Sequence, residues 1–348
     1  MVTASIAGLG SAWPQTATQE EAWETFFRFH YDDSPLARKI FRKTQIQYRH
    51  STIDPRVQRE IPEWGTARRM QRFVEDAMPL GREALTMAFD SAGLTARDVG
   101  LLAVVTCTGY ATPGLDVKLA EQLGMSPSTQ RLHIGHMGCY AAIPGLAAVQ
   151  DAAVARGKVA AMLCVELTSL HVQPATDEVE QMVAHALFSD GAAAVAVVPD
   201  SPGLEVVDIV ARTASEYAEM MTWDVTDQGF RMGLSPAVPA VLGEHVVDVV
   251  DELLATNGLR KGDVARWAVH PGGPTIVDVV AERLELEPAE LDDSRETLRM
   301  HGNCSSATIL LILERVLSHD DLDAGDHVVA MAFGPGLTLY AALLRKRR

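Results

Sequence analysis

The chain has 348 residues with a formal net charge of −16; 47% of its residues are hydrophobic and 22% are charged. This composition is typical of a folded globular protein with a large core and excludes a disordered or fibrous chain. The acidic balance argues against a nucleic-acid partner or an anionic membrane surface, because both need a basic footprint that releases counterions. Since no apolar run approaches the roughly 18 residues of a membrane span, we also expect no membrane insertion.

Cysteine usage indicates a reducing compartment. The four cysteines, at 107, 139, 164 and 304, form no CxxC pair and show no even spacing. No secretory signal opens the chain, so a disulfide framework is not expected. We therefore predict reduced thiols in a cytoplasmic protein.

The first distinctive segment is basic. In "ARKIFRKTQ" (37–45), Lys39 and Lys43 are four residues apart and share one helix face. From the residues alone, two interpretations stay open: a solvated surface helix, or a local patch for a phosphate-bearing ligand.

Apolar runs alternate with helical stretches, which predicts an α/β protein with largely buried sheets. The predicted strands are "VGLLAVVTC" (99–107), "VAAMLCVEL" (159–167), "AAAVAVV" (192–198), "ARWAVH" (265–270) and "HVVAMAF" (327–333). The cluster "PDSPG" at 199–203 is suited to a boundary between an N-terminal half, 1–200, and a C-terminal half, 201–348.

An internal repeat relates the two halves. "GLTARDVGLLAV" (93–104) aligns without gaps with "GLRKGDVARWAV" (258–269), an offset of 165 at which six of twelve residues are identical. The same offset places Cys139 over Cys304, each in a turn that enters an apolar helix. A duplicated unit predicts two halves packed about a pseudo-twofold axis, with the corresponding turns close to that axis. Chance similarity between Val- and Ala-rich segments is the alternative.

Three polar residues stand out against this repeat. Cys139 follows a glycine and precedes a helix whose dipole favours a thiolate, although an inert buried cysteine explains the local sequence equally well. His270 ends a predicted strand just before "PGGP", where α/β folds present side chains to ligands. Asn303 lies in the turn equivalent to that of Cys139, where an ordinary N-cap is the alternative. "AFGPGLTLY" adds a Gly-Pro-Gly turn at Gly336 that closes over a site or simply links two strands.

In this order and at these separations, "MGCYAA", "HALFSDGAAAV", "VHPGGP", "HGNCSSA" and "FGPGLT" resemble the type III polyketide synthases, the chalcone and stilbene synthase family. The resemblance spans the chain from about residue 36 to its end. It implies a thiolase-like fold, a duplicated five-layer αβαβα arrangement, in a homodimer. Ketoacyl synthases share the Cys, His and Asn set, but "HPGGP" with "GPG" favours the type III family.

The resemblance also implies a role for each matching residue. Cys139 is expected to carry the acyl chain as a thioester, and His270 and Asn303 to act on the malonyl-CoA carbonyl, with His270 also maintaining the thiolate. Phe188 matches an aromatic gatekeeper between the CoA tunnel and the cavity. Lys39 and Lys43 match two of three basic positions that bind CoA phosphates, and Leu36 stands at the third.

The chain departs from the plant members of the family at several pocket positions. Met232 stands at the place of a second gatekeeper phenylalanine, where a flexible thioether opens the passage. The other expected substrate-binding residues are Cys107, Thr112, His171, Ser305 and Gly336. Small residues at 107 and 112 favour a medium or long acyl starter, as in bacterial members.

We therefore predict an acyltransferase that condenses malonyl-CoA with an acyl-CoA starter, two or three times, and cyclises the product to an alkylpyrone or alkylresorcinol. No metal or redox cofactor is implied by residue spacing or by the chemistry. The main alternative is a β-ketoacyl synthase that performs one condensation with a carrier-bound malonyl group. A cysteine hydrolase and a non-catalytic homologue are the remaining alternatives.

Overall fold

The computed structural model describes residues 3–54 and 56–348. Within these ranges the thirteen strands are β1 (Ala4–Ala12), β2 (Gln15–Thr18), β3 (Tyr48–Ser51), β4 (Val99–Thr106), β5 (Gln130–Gly135), β6 (Val159–Glu166), β7 (Gly191–Pro199), β8 (Gly203–Thr213), β9 (Met221–Thr226), β10 (Gly229–Leu234), β11 (Val264–Val269), β12 (His327–Gly334) and β13 (Thr338–Arg347).

The α-helices of these residues are α1 (Gln19–Ala22), α2 (Arg28–His30), α3 (Pro35–Lys43), α4 (Thr66–Ser91), α5 (Leu115–Gln122), α6 (Ala142–Arg156), α7 (Val179–Leu187), α8 (Val238–Thr256), α9 (Pro274–Leu284), α10 (Asp292–His301) and α11 (Ala307–Leu317). A π-helical turn, Trp23–Phe27, joins α1 to α2. None of the helices in the described ranges has both the length and the apolarity to cross a membrane.

The main sheet consists of two similar half-sheets. Its nine strands follow the order β11-β12-β13-β8-β1-β7-β6-β4-β5. A single residue pair, Ile6 with Leu204, joins β1 to β8. The strands β1-β7-β6-β4 on one side therefore correspond to β8-β13-β12-β11 on the other, and β5 extends the N-terminal side alone.

The internal repeat of the sequence is present as repeated structure. β4 begins at Val99 and β11 at Val264, and α6 begins at Ala142 and α11 at Ala307, so both pairs keep the offset found in the sequence. In both halves the parallel strand pair, β4–β6 and β11–β12, is followed by an antiparallel strand, β7 or β13. The fold is thus a duplication of one α/β unit.

Successive side chains of each strand face opposite sides of the sheet, and this alternation explains the layers of the fold. Ala103 and Val105 of β4 face a central core that contains α6 and α11, whereas Leu102 and Val104 face an outer core with α4. The strands of the C-terminal half likewise separate the central core from a third core around α8 and α9. Because a strand presents successive side chains to opposite faces, both half-sheets are covered on both sides. The result is the predicted five-layer αβαβα arrangement.

The predicted strands are present, with ends that differ by at most one residue. The sequence missed four strands of the main sheet: β5, β13, and β1 and β8, which join the two halves. Glycines disguise β1, since glycine usually weakens a strand. A Cβ on Gly10 would lie 2.4 Å from the carbonyl oxygen of Ala84, so glycine allows α4 to pack directly on this strand. Residues 200–202 connect β7 to β8, and the division at 199–203 into two domains stays a prediction.

Candidate active site

Cys139 lies in a short 3-10 turn, Gly138–Tyr140, that leads into α6. Gly138 has φ +78°, and a Cβ there would lie 2.5 Å from Cδ of Pro335, so only glycine fits this turn. The Cys139 side chain is 8% exposed and faces a cavity at the N-terminal end of α6. The helix dipole therefore favours negative charge at this sulfur.

His270 is the first residue after β11. Its backbone N–H donates to the carbonyl oxygen of Met331 at 2.8 Å, which continues the pairing of β11 with β12. The ring is buried, and within the described residues neither ring nitrogen has a hydrogen-bond partner. A buried imidazole whose two nitrogens are both unused is expected to serve a ligand, because buried polar atoms are otherwise paired.

Asn303 is fixed by both its main chain and its side chain. Its N–H donates to Leu187 O at 2.9 Å, and its carbonyl oxygen accepts from the N–H of Ser189 at 2.9 Å. Its Oδ1 accepts from the N–H of Ser305 at 2.8 Å, while Nδ2 approaches Gly272 O at 3.5 Å. Because Oδ1 is held by Ser305, the amide nitrogen is directed toward the turn that follows His270 and is available as a donor.

These three residues line one mainly apolar cavity. Cys139 comes from the N-terminal half, and His270 and Asn303 come from the C-terminal half. The cavity is further lined by Cys107, Thr108, Gly138, Thr168, Phe188, Met221, Trp223, Met232, Leu234, Val238, Gly272, Ile276, Ser305, Phe333 and Pro335. The scarcity of polar groups strengthens each electrostatic contact with a bound thioester.

Burial sets the protonation states of the reactive pair. It raises the pKa of the Cys139 thiol to about 12. It lowers the pKa of His270 to about 3. Each group taken alone is therefore neutral at neutral pH, and the thiol forms an effective nucleophile when its proton passes to a neighbouring base.

Several predicted pocket residues do line this cavity. Phe188, Met232, Cys107 and Ser305 are all part of its wall. Ser305 Oγ lies 3.6 Å from Cys139 Sγ and 3.3 Å from Cys107 Sγ, so one hydroxyl contacts both thiols.

Other predicted residues lie elsewhere. His171 borders a neighbouring cavity. Its ring is fully engaged, since Nε2 donates to Thr108 O at 2.7 Å and Nδ1 accepts from the N–H of Phe230 at 3.0 Å. Thr112 is exposed on the loop after β4, where its Oγ1 donates to Tyr110 Oη at 3.2 Å, and it does not line the cavity. Gly336 is a turn residue with φ +85°.

Lys39 and Lys43 also lie outside the cavity, exposed on α3. This helix packs against α7, which ends at the residue before Phe188.

Two site residues escaped the sequence interpretation. Glu166, at the end of β6, is completely buried, and it accepts hydrogen bonds from Thr108 Oγ1 at 2.8 Å and from the Cys107 N–H at 3.0 Å. A carboxylate that ends an apolar strand was a recognisable signal. Trp223, on β9, donates from Nε1 to Cys107 O at 2.6 Å and lines both the catalytic cavity and the neighbouring one. Nothing in the local sequence marked it.

A cysteine at a helix N-terminus, a histidine and an amide, joined across a duplicated fold, define a condensing enzyme that works through an acyl thioester. The family model described as "Chalcone and stilbene synthases, N-terminal domain" matches residues 2–201, and the model of the C-terminal domain of the same family matches residues 208–347. The chain belongs to the chalcone and stilbene synthase family, and it is a type III polyketide synthase with acyltransferase activity.

Similar proteins agree with this assignment. A 1,3,6,8-tetrahydroxynaphthalene synthase of Streptomyces peucetius is 33% identical over 90% of this chain and 84% of its own length. An alpha-pyrone synthesis polyketide synthase-like protein of Mycobacterium tuberculosis is 31% identical over 98% of this chain and 90% of its own. These relatives favour a type III polyketide synthase over the single-condensation ketoacyl synthase.

The solved structures show the same fold. A polyketide synthase from the brown alga Ectocarpus siliculosus superimposes with a TM-score of 0.92, at 29% identity over 99% of both chains. The tetrahydroxynaphthalene synthase of Streptomyces coelicolor gives 0.91, at 27% identity over 99% of both chains. The expected thiolase-like fold is thus confirmed.

Proposed function

We propose that this enzyme loads an acyl group from acyl-CoA onto Cys139, extends it repeatedly with malonyl-CoA and cyclises the product to an alkylpyrone or alkylresorcinol. The observation that carries the proposal is the meeting of Cys139, His270 and Asn303 in one apolar cavity. A thioester in this cavity finds a nucleophile on one side and two hydrogen-bond donors on the other.

In the loading step, Cys139 Sγ attacks the thioester carbonyl of the starter. The thiol proton passes to His270, whose ring nitrogens have no competing partner. The imidazolium and thiolate together remain neutral overall, and the dipole of α6 stabilises the sulfur. CoA leaves as the thiol after it takes up this proton, and the acyl group stays on Cys139.

In the extension step, the malonyl thioester loses CO₂ and becomes an enolate. His270 and the amide nitrogen of Asn303 donate to the thioester oxygen, where the negative charge develops. The enolate carbon then attacks the carbonyl carbon of the acyl group on Cys139 in a Claisen condensation, and the Cys139 thiolate leaves as the carbon–sulfur bond breaks. The extended chain is then a CoA thioester, which returns to Cys139 by the loading step before the next extension. Because the breaking carbon–carbon bond itself supplies the electron pair, we propose that the reaction needs no metal or redox cofactor.

We propose that the starter's acyl tail extends toward the neighbouring cavity. This cavity shares Thr168, Phe188, Trp223 and Met232 with the catalytic cavity, so side chains rather than main chain separate the two. We propose that these side chains, together with Cys107, set the length of the tail. Trp223 places a large side chain in the wall of the catalytic cavity. It therefore counts against the medium or long acyl starter that the small residues at 107 and 112 favour.

The lysines of α3 suit the CoA phosphates. In the described part of the chain, Arg38 and Arg42 approach Glu20 at 3.3 and 3.9 Å. Lys39 and Lys43 have no carboxylate partner there and face solvent. The helix thus offers two free cations beside two neutralised ones, and we propose that the free pair binds the phosphates.

A second copy of the chain is the proposed partner. β5 is an edge strand of the large sheet, and the side chains of residues 130–133 are exposed. Leu132 on this strand and Tyr110 on the loop after β4 are exposed large hydrophobic residues. An open edge of this kind pairs readily with another strand, which supports the predicted homodimer.

Product analysis tests the proposed function. The enzyme is incubated with malonyl-CoA and a panel of acyl-CoA starters of increasing length, and the products are identified by mass spectrometry. Pyrones or resorcinols extended two or three times are expected. A product extended once only, or free fatty acid formed without malonyl-CoA, would contradict the proposal and support the ketoacyl synthase or the hydrolase respectively.

A further inference from the structure

We propose that Arg49 is a positioning residue that holds the end of α7, and through it Asn303 and Phe188, in the geometry that malonyl-CoA decarboxylation needs. The proposal rests on the role proposed above for Asn303. Arg49 lies outside the catalytic cavity, in the wall of the neighbouring cavity, and belongs to none of the sequence patterns of the site.

The charged guanidinium group of Arg49 is buried and donates mainly to main-chain oxygens. It lies on β3, its side chain is 9% exposed, and the guanidinium carbon lies 5.3 Å from the ring centre of Phe27. Its Nη1 donates to His185 O at 2.8 Å, and its Nη2 donates to Phe188 O at 2.5 Å. Within the described residues no carboxylate forms an ion pair with it. A buried cation used in this way has a specific structural task, since burying a charge is costly.

The carbonyl oxygens at the end of α7 show what that task is. A helix leaves its last four carbonyls without partners inside the helix. Here His185 O accepts from Arg49, Ala186 O accepts from Gln19 Nε2 at 2.8 Å, and Leu187 O accepts from the N–H of Asn303 at 2.9 Å. Asn303 is therefore itself one of the groups that complete this helix end, and its position depends on where the helix ends.

The contact with Phe188 extends the same link. Phe188 and Asn303 form a parallel bridge between their main chains, and Ser189 N–H donates to Asn303 O. Arg49 thus fixes the carbonyl of the residue that lies directly beside Asn303. Burial lowers the pKa of Arg49 to about 10, so the side chain still carries its charge at neutral pH, where it complements the negative end of the helix dipole.

This arrangement separates two steps of the reaction. Cys139 precedes α6 and His270 follows β11, and Arg49 contacts neither residue. Acyl loading from a short starter such as acetyl-CoA, whose tail does not reach the neighbouring cavity that Arg49 lines, should therefore survive the loss of Arg49. Decarboxylation uses the Asn303 amide, and a shift of a fraction of an ångström in such a donor slows the step by about 10-fold or more. In Arg49→Gln we therefore expect kcat for decarboxylation to fall about 10-fold, while KM for malonyl-CoA and the rate of Cys139 acylation stay within about twofold.

A double-mutant cycle tests whether Arg49 acts through Asn303. Decarboxylation by the full-length enzyme is measured for wild type, Arg49→Gln, Asn303→Ala and the double variant, with acylation of Cys139 followed by mass. If Arg49 positions the amide, its loss adds little once Asn303 is alanine. Arg49→Lys, which keeps the charge but reaches one carbonyl, is expected to lie between wild type and Arg49→Gln, and it serves for the cycle if Arg49→Gln fails to fold.

Gln19→Met is the control, because it removes the buried bond to Ala186 O at the same helix end, and the 3.4 Å hydrogen bond that Gln19 Oε1 accepts from Arg49 Nη1, while the bonds from Arg49 to His185 O and Phe188 O remain. It is expected to lower Tm and to leave decarboxylation within about twofold of wild type. Additive effects of Arg49→Gln and Asn303→Ala, or equal slowing of loading and decarboxylation, would overturn the role of Arg49. Undiminished decarboxylation in Asn303→Ala alone would instead refute the proposed role of Asn303.

Discussion

Two equivalent turns of the duplicated fold carry a cysteine, yet their surroundings differ. Cys139, before α6, faces the cavity, and its sulfur lies 3.6 Å from Ser305 Oγ. Cys304, before α11, is 0% exposed, and its sulfur lies 3.5 and 3.6 Å from the main-chain oxygens of His301 and Asp190. Burial raises the pKa of both thiols. The same residue in the same turn is thus a candidate nucleophile in one half and a packing residue in the other.

The difference teaches that each half supplies a different part of one site. The residue before Cys139 is Gly138, which has no room for a side chain beside Pro335. The residue before Cys304 is Asn303, whose amide reaches the shared cavity. Duplication provided two helix N-termini near one axis, and only their divergence brought a thiol to face an amide.

The strongest test of this difference between the two turns is to remove each thiol in turn. Cys139→Ala should reduce polyketide formation by at least about a thousandfold, since no other group accepts the acyl chain. Cys304→Ala should keep activity within about twofold and lower stability by about 1 kcal/mol, because a small buried group is lost. Product formation by mass spectrometry and thermal unfolding provide the readouts. Equal loss in both variants would erase the distinction between the turns.

Replacing the amide of the second turn tests its separate task. Asn303→Ala should slow malonyl-CoA decarboxylation by about 100-fold to 1,000-fold, which corresponds to the roughly 3 to 4 kcal/mol expected for one lost donor at a developing oxyanion. Release of CO₂ from labelled malonyl-CoA measures this step. Acylation of Cys139 by the starter should change little, and a parallel loss in acylation would show that the two turns are not divided by function.

The third test concerns His270, whose counterpart in the N-terminal half of the fold is the apolar Val105. Because burial raises the pKa of Cys139 to about 12, the thiol depends on His270 to accept its proton. His270→Gln should therefore slow iodoacetamide alkylation of Cys139 at pH 7 by about 10-fold to 100-fold, with a rate that then rises roughly tenfold per pH unit. The wild-type rate should depend less steeply on pH. Identical profiles would show that His270 does not take the proton.

The smallest effect is expected at α3, a helix that the N-terminal half adds to the repeat. Lys39→Glu with Lys43→Glu should raise KM for malonyl-CoA about fivefold to tenfold and leave kcat nearly unchanged, since exposed charges contribute about 1 kcal/mol or less each. The matched control is the double variant Arg38→Gln with Arg42→Gln, because these two arginines already pair with glutamates. Greater salt sensitivity in wild type than in the lysine variant would support a phosphate contact. An unchanged KM would contradict it.

The sequence was sufficient for much of this fold. Strands such as β4 and β6 are continuous apolar runs because both of their faces are covered, and the repeat revealed the duplication. β1 was missed because its glycines serve contacts with α4 that no local pattern records. Periodicity reports how a segment is buried, whereas a partner segment far away in the chain decides whether glycine belongs in a strand.

The candidate site was predictable to a similar degree. Cys139, His270 and Asn303 each end or follow an element of the repeat, where side chains reach the cavity. Trp223 was not predictable, because it arrives on the β9–β10 hairpin, which has no counterpart in the N-terminal half. The role of Arg49 was not predictable either, because it bonds mainly to main-chain oxygens, and every residue type carries a main-chain oxygen.

The contact between Gly138 and Pro335 has a consequence for how the protein matures. The turn that holds the nucleophile is closed on one side by the loop between β12 and β13, and His270 and Asn303 also belong to the C-terminal half. Until that half has folded, the thiol lacks its base, its amide neighbour and its dry pocket. The reactive centre is therefore complete only after both halves of the chain have folded.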